Sequence, residues 1–195
     1  MLLRLIFLSI LSVGLTACVN LKPRADATKT YVLGPMALPV ADASQQIERG
    51  YIARPQLPVY MEGATLKVRS ADGEIANLAG ARWAEPLEVG VARALSHYIE
   101  VQSGGVKSGF YPWSQSKKAA NTLYVKFYQL VATTDGRIQV SASWELQRAS
   151  GQPLTGVFTT VDTEWIPGDA QSMVAGVNAA IEALAGQISS SLKKR

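Results

Sequence analysis

The sequence predicts an α/β fold of the α+β-like kind: a single compact domain in which a mixed, largely antiparallel sheet carries two main helices packed on it. Three patterns lead there. From Arg137 to Gln147, Ile138, Val140, Ala142, Trp144 and Leu146 alternate with Gln139, Ser141, Ser143, Glu145 and Gln147, the two-residue period of a strand with one buried and one wet face. Leu87, Val91, Leu95 and Tyr98 recur at helical spacing, and Met173, Val177, Ile181, Leu184 and Ile188 do so again near the end of the chain. At 195 residues and 48% hydrophobic, the chain is long enough to bury one core, and two would be crowded.

The first segment reads as an address. Arg4 precedes the apolar run Leu5 to Val13, which only Ser9 and Ser12 interrupt. That run is about half of the roughly 20 residues a membrane-spanning helix needs, so residues 1–17 are expected to be a cleaved signal peptide. Leu15-Thr16-Ala17-Cys18 follows at once and resembles the bacterial lipobox, in which the cysteine is lipidated and becomes the mature terminus. The plain alternative is a chance cysteine behind an ordinary secretory signal. One acyl chain holds a protein only marginally, whereas two or three hold it for good. Position 19 is Val and not the Asp that retains such proteins at the inner membrane, so the resemblance favours the outer membrane and its periplasmic face. Residues 18–30 then read as a lipidated terminus and flexible tether, and residues 31–195 as one periplasmic domain.

The remaining elements follow in order. Tyr31-Val32-Leu33, stopped by Gly34-Pro35, reads as a first strand. Pro55 and Pro58 place the stretch from Ile47 to Val59 at a sheet edge or outside the ladder, because proline has no N–H to donate. Thr65 to Val68 and Glu74 to Leu78 form a hairpin around Asp72-Gly73. Glu85, Pro86 and Glu88 suit the first turn of the helix bearing Leu87, and Gly104-Gly105 ends it. Val106 to Lys118 reads as an irregular loop around Phe110, Tyr111, Pro112 and Trp113, either tucked under the sheet or exposed as a patch for a partner. Thr122 to Val131 is a strand, turned at Asp135-Gly136 into the strand from Arg137 to Gln147. Val157 to Trp165 alternates as a third. Asp169 is placed to cap the last helix, Ala175, Ala179, Ala180, Ala183 and Ala185 to let it approach the sheet, and Lys193-Lys194-Arg195 to complement its C-terminus or meet anionic lipid.

Chemistry is sparse. One cysteine excludes an intrachain disulfide, and one cysteine with one histidine excludes multi-thiolate and Cys2His2 zinc sites, so no metal and no cofactor are expected. The net charge of +4 is scattered and gives no clustered basic face for nucleic acid. His97 reads as a surface histidine with no G-x-S-x-G serine to serve, so no catalytic residue is assigned. Glu85 and Glu88 read as first-turn carboxylates more readily than as an acid/base pair.

Arg82-Trp83-Ala84-Glu85-Pro86-Leu87, opening a helix with Val91, Arg93, Ala94 and Leu95, carries the family resemblance. Together with the lipobox at Cys18, the aromatic strand at Tyr31 to Leu33, Arg54-Pro55 and the late helix, it is similar to the PqiC-type auxiliary lipoproteins of ABC-type transport systems. The resemblance spans nearly the whole chain. Its one departure is a single aromatic in Tyr31-Val32-Leu33 where the family often has two. It implies a compact mixed sheet with helices packed on it. It also implies a non-catalytic outer-membrane lipoprotein working with an MCE-domain protein and, through it, an ABC-type or related inner-membrane complex. Such a system moves lipids or other hydrophobic molecules and supports envelope integrity, and the resemblance implies a lipoprotein that can assemble as a ring of several copies. Arg82, Trp83, Glu85, Pro86 and Leu87 are the motif residues to examine as an interface, although internal packing accounts for Arg82 and Trp83 equally well. Two other classes stay open: a structural lipoprotein assisting insertion of outer-membrane proteins or lipopolysaccharide, and a periplasmic hydrolase dependent on His97.

Overall fold

In a computed structural model of the chain, residues 26–35, 48–104, 106–113, 121–149, 151–160 and 163–193 are described. The signal segment, Cys18, the first part of the tether and the end of the basic tail lie outside these residues. The centre of the fold is the hairpin of β6 (Asn121–Thr133) and β7 (Arg137–Arg148). Leu123, Val125 and Phe127 on β6 and Ile138, Val140, Ala142, Trp144 and Leu146 on β7 point to the core, as the alternation requires. Gly136 turns the hairpin at φ 85°, a left-handed conformation that favours glycine.

Strands gather on both sides of this hairpin. β2 (Glu48–Ile52) and β3 (Thr65–Arg69) each run parallel to β6, at opposite ends of it. Beyond β3 lie β4 (Ile75–Trp83), antiparallel, and then β1 (Lys29–Tyr31), parallel to β4. Beyond β2 lies β5 (Val106–Phe110), parallel to it. On its far side β7 pairs antiparallel with β8 (Leu154–Thr159) and β9 (Thr163–Glu164). The sheet is mixed, and its two long ladders, β6 with β7 and β7 with β8, are antiparallel.

Several boundaries differ from expectation for physical reasons. β1 begins at Lys29 and ends at Tyr31, because Leu33-Gly34 turns inward and buries Leu33. β2 is an inner strand and not an edge; the chain keeps bonding to β6 past Pro55 as far as Gln56, and only Pro58 falls beyond, where a short 3-10 turn (Val59–Met61) takes over. Val106 to Phe110 is a strand and not a loop; only its backbone pairing with β2 makes it one. β4 runs on to Trp83 across a bulge in which Gly80 sits at φ 67°. The third strand breaks into β8 and β9, with Val157 69% exposed while Phe158 packs against the core.

Both helices cover one face of this sheet. α1 (Leu87–Ser103) ends at Gly104, left-handed at φ 73°. It buries Leu87, Val91, Leu95 and Ile99, and also Ala92, Ala94 and Ser96. That is wider than one stripe, because α1 lies between the sheet, the second helix and the Leu33-Gly34 turn. α2 (Ala170–Lys193) begins at Asp169, whose carboxylate accepts the Gln171 N–H at 2.9 Å. Its close approach to the sheet rests on Gly176, where a Cβ would lie 2.8 Å from Ile138, and on Ala180 and Ala185; Ala175, Ala179 and Ala183 face solvent. No helix among the described residues is long and apolar enough to cross a membrane.

Candidate functional site

The last residues of β4 change face one by one. Trp83 turns inward, 4% exposed, and its backbone N–H donates to the Ala64 carbonyl at 2.6 Å. Arg82 turns the other way and pairs with Asp26. Glu85 then precedes α1, Pro86 is the residue before its first turn at φ −52°, ψ 131°, and Leu87 is the first helical residue, 3% exposed. Pro86 therefore stands at the N-cap and not inside the first turn. It offers no side-chain hydrogen bond there, so the helix N-terminus opens without a cap.

What it opens onto is a groove of about 920 Å³. One wall is the Trp83–Glu88 segment, and the other is Arg54-Pro55 with Leu57 and the turn from Met61 to Ala64. Two stretches some thirty residues apart in sequence, both carrying the family resemblance, thus face each other. The floor is apolar where Met61, Trp83 and Leu87 are buried. The rim is charged. Arg54 Nη2 donates to Glu88 Oε1 at 3.1 Å, and its guanidinium lies 5.5 Å from the Tyr111 ring centre. Glu85 Oε1 accepts from Arg93 Nη2 at 2.6 Å. The Glu62 carboxylate has no ion-pair or hydrogen-bond partner among the described residues, while its backbone N–H donates to the Val59 carbonyl at 3.0 Å.

Arg93 is the residue that sequence reasoning left without a role. From the middle of α1 it donates to Glu85, to the Leu33 carbonyl at 2.6 Å and to the Pro35 carbonyl at 3.1 Å, which ties the groove wall and the first turn of the domain to the helix. The available signal was an arginine flanked by residues of a nearly continuous buried face. Of the five motif residues, Trp83, Glu85, Pro86 and Leu87 line the groove and Arg82 does not. Among the described residues the buried Trp83 Nε1 has no acceptor.

Among the described residues the groove's arginine and two of its three carboxylates are held in ion pairs. His97 lies outside it, half-buried on α1 and packed edge-on to Tyr98 at 5.6 Å. Its neighbour Ser96 belongs to the buried side of the helix and donates to the Ser108 carbonyl on β5 at 2.9 Å. Nearby Glu100 is pushed above the usual carboxylate range by burial, partly offset by the Ser108 N–H and the charges of Lys107 and His97. Among the described residues no group of three His, Cys, Asp or Glu is placed to hold a metal. The Phe110 to Trp113 cluster divides between the two expected arrangements: Phe110 and Tyr111 pack on the core, and Trp113 is 68% exposed.

Comparison with known proteins gives a family and a fold. The model of a family described as the ABC-type transport auxiliary lipoprotein component matches residues 31–189. A crystal structure of an uncharacterised protein superposes with a TM-score of 0.67 at 19% identity, covering 85% of this chain and 99% of that one. A protein from Xanthomonas campestris does so with a TM-score of 0.53 at 17% identity, covering 83% and 92%. No curated protein matches the chain.

Proposed function

The chain belongs to the family of ABC-type transport auxiliary lipoprotein components, and on that premise we propose that it is the outer-membrane-anchored, periplasmic docking component of a transport system. Acyl chains on Cys18 hold it in the outer membrane. The domain receives an MCE-domain protein, and through it an ABC-type or related inner-membrane complex, in a system that moves lipids or other hydrophobic molecules and supports envelope integrity. Its role is to bind and position, not to catalyse, and several copies in a ring would surround the end of a conduit.

The observation that carries this reading is the groove at the start of α1. Its walls come from both resemblance segments, its floor is apolar, and its rim charges are spent mostly on one another. Such a surface is fitted to recognition. The test is affinity purification of the lipidated chain from detergent-solubilised envelopes. The expected result is an MCE-domain protein recovered in near-stoichiometric amount. Recovery of outer-membrane insertion machinery in its place would overturn the proposal in favour of the assembly role.

A further inference from the structure

The last residues of the expected tether are fastened to the domain. Lys29, Thr30 and Tyr31 pair with Ala81, Arg82 and Trp83 as β1, and the Tyr31 carbonyl accepts the Ala84 N–H at 2.8 Å. Just before them the Thr28 N–H donates to the Asp26 carboxylate at 2.9 Å, and Asp26 pairs with Arg82, the motif residue that the groove does not use. From Cys18 to Asp26 the chain therefore has eight residue steps, which at full extension reach about 28 Å.

β1 runs parallel to β4, so the chain ahead of Lys29 heads back toward the start of β4 and its hairpin with β3. At that end of the sheet lie the hairpin tip from Ser70 to Glu74 and the β6–β7 turn, joined where the Thr134 N–H donates to the Arg69 carbonyl at 2.9 Å. The opposite end holds the β7–β8 connection, where Arg148 donates to the Gln152 carbonyl, and the last turns of both helices, where Lys193 Nζ donates to the Gln102 carbonyl at 2.7 Å. β6 runs from one end to the other, Thr133 beside Arg69 and Asn121 beside Arg148, and its 13 residues span about 40 Å. That length exceeds the reach of the tether.

From this mismatch we infer that the domain stands on the lipid surface carrying its anchor with the β3–β4 tip and the β6–β7 turn toward the headgroups. The helix C-termini and the β7–β8 connection are turned away into the periplasm. The tether sets this orientation, not an affinity for lipid: at the near end Lys67 and Arg69 balance Asp72 and Glu74, and Arg137 balances Asp135. Lys193, at the far end, is thereby kept from the anionic lipid of the anchoring bilayer. The inference deepens the docking role and rests on the lipid at Cys18 proposed above.

Cys18 is the only cysteine, so lipid on it leaves a newly placed thiol as the only one to label. Ala71→Cys at the near end and Gln152→Cys at the far end both replace exposed residues. Each full lipidated variant is labelled with a nitroxide and held in phosphatidylcholine nanodiscs containing a nickel-chelating lipid, whose headgroup metal speeds the relaxation of a nearby spin. Relaxation at position 71 is expected to be several-fold faster than at position 152, which stays close to its value in nickel-free discs. Inserting about sixteen Gly and Ser residues between Ala25 and Asp26 roughly triples the reach and is expected to bring the two sites together. Equal relaxation in the chain of native length, faster relaxation at position 152, or a bias that survives the insertion would each overturn the inference. A wild-type chain that takes the thiol label carries no lipid at Cys18, which removes the anchor and the orientation together. A wild type that resists the label while the two sites relax alike removes the orientation alone.

Discussion

Trp83 and Trp165 are buried to the same degree, and one hydrogen bond separates them. Trp165 Nε1 donates to the Thr133 carbonyl at 2.9 Å, whereas Trp83 Nε1 has no acceptor among the described residues. Exchange for Phe removes similar volume at both sites, so Trp165→Phe is expected to cost about 1 kcal/mol more than Trp83→Phe in urea unfolding. Gly34 is the opposite case, a position fixed by space. It sits at φ 78°, and a Cβ there would lie 2.7 Å from Ala94 Cβ, so Gly34→Ala combines backbone strain with a clash. A loss of about 2 kcal/mol or more is expected, seen as a fall of roughly 5–10 °C in melting temperature. Glu100 provides the pH test. Burial raises its pKa, so its favourable contribution is present at low pH and is lost as pH rises through the raised value. Glu100→Gln keeps the Oε1 that accepts the Ser108 N–H at 3.2 Å and never ionises. The variant is therefore expected to melt higher than wild type at neutral pH, with the advantage shrinking on acidification through the carboxylate range.

Between elements, Arg93 does the joining. One planar guanidinium serves two carbonyls and a carboxylate from the Leu33–Pro35 turn and the start of α1. Lysine has the charge without the fork, so Arg93→Lys is expected to lose about 2 kcal/mol in urea unfolding. Elements set by local chemistry were readable from the sequence. Asp169 and Gly104 mark helix ends, Asp72-Gly73 and Asp135-Gly136 mark hairpins, and β7 shows its period without a break. Elements set by distant partners were not. Val-Lys-Ser-Gly-Phe from Val106 to Phe110 has no apolar period and becomes β5 only beside β2, aided by the Ser96 bond to Ser108. The expected strand stops at Leu78, yet the positive φ of Gly80 lets β4 bulge and continue to Trp83. Gly176, which the alanine pattern did not single out, joins Ala180 and Ala185 in letting α2 press on the sheet, against Ile138 and the Glu164 carbonyl.

At the level of the whole molecule, the site was half visible. The run from Arg82 to Leu87 stood out as a motif, but a linear motif does not show that Arg82 and Trp83 leave the strand on opposite faces. Nor does it show that Arg54-Pro55 forms the facing wall, because that meeting depends on where β2 and β4 end within one sheet. The helices occupy one face of that sheet, and Tyr124, Tyr128 and Val157 remain exposed on the strands. The docking role requires this domain to be fixed to the outer membrane through its first mature residue. Intact-mass spectrometry of the chain recovered from purified outer membranes tests that requirement most directly. The expected result is a mature protein beginning at Cys18 and carrying a diacylglyceryl group with an acylated amine. An unmodified Cys18, or a chain found only in the soluble periplasmic fraction, would contradict it.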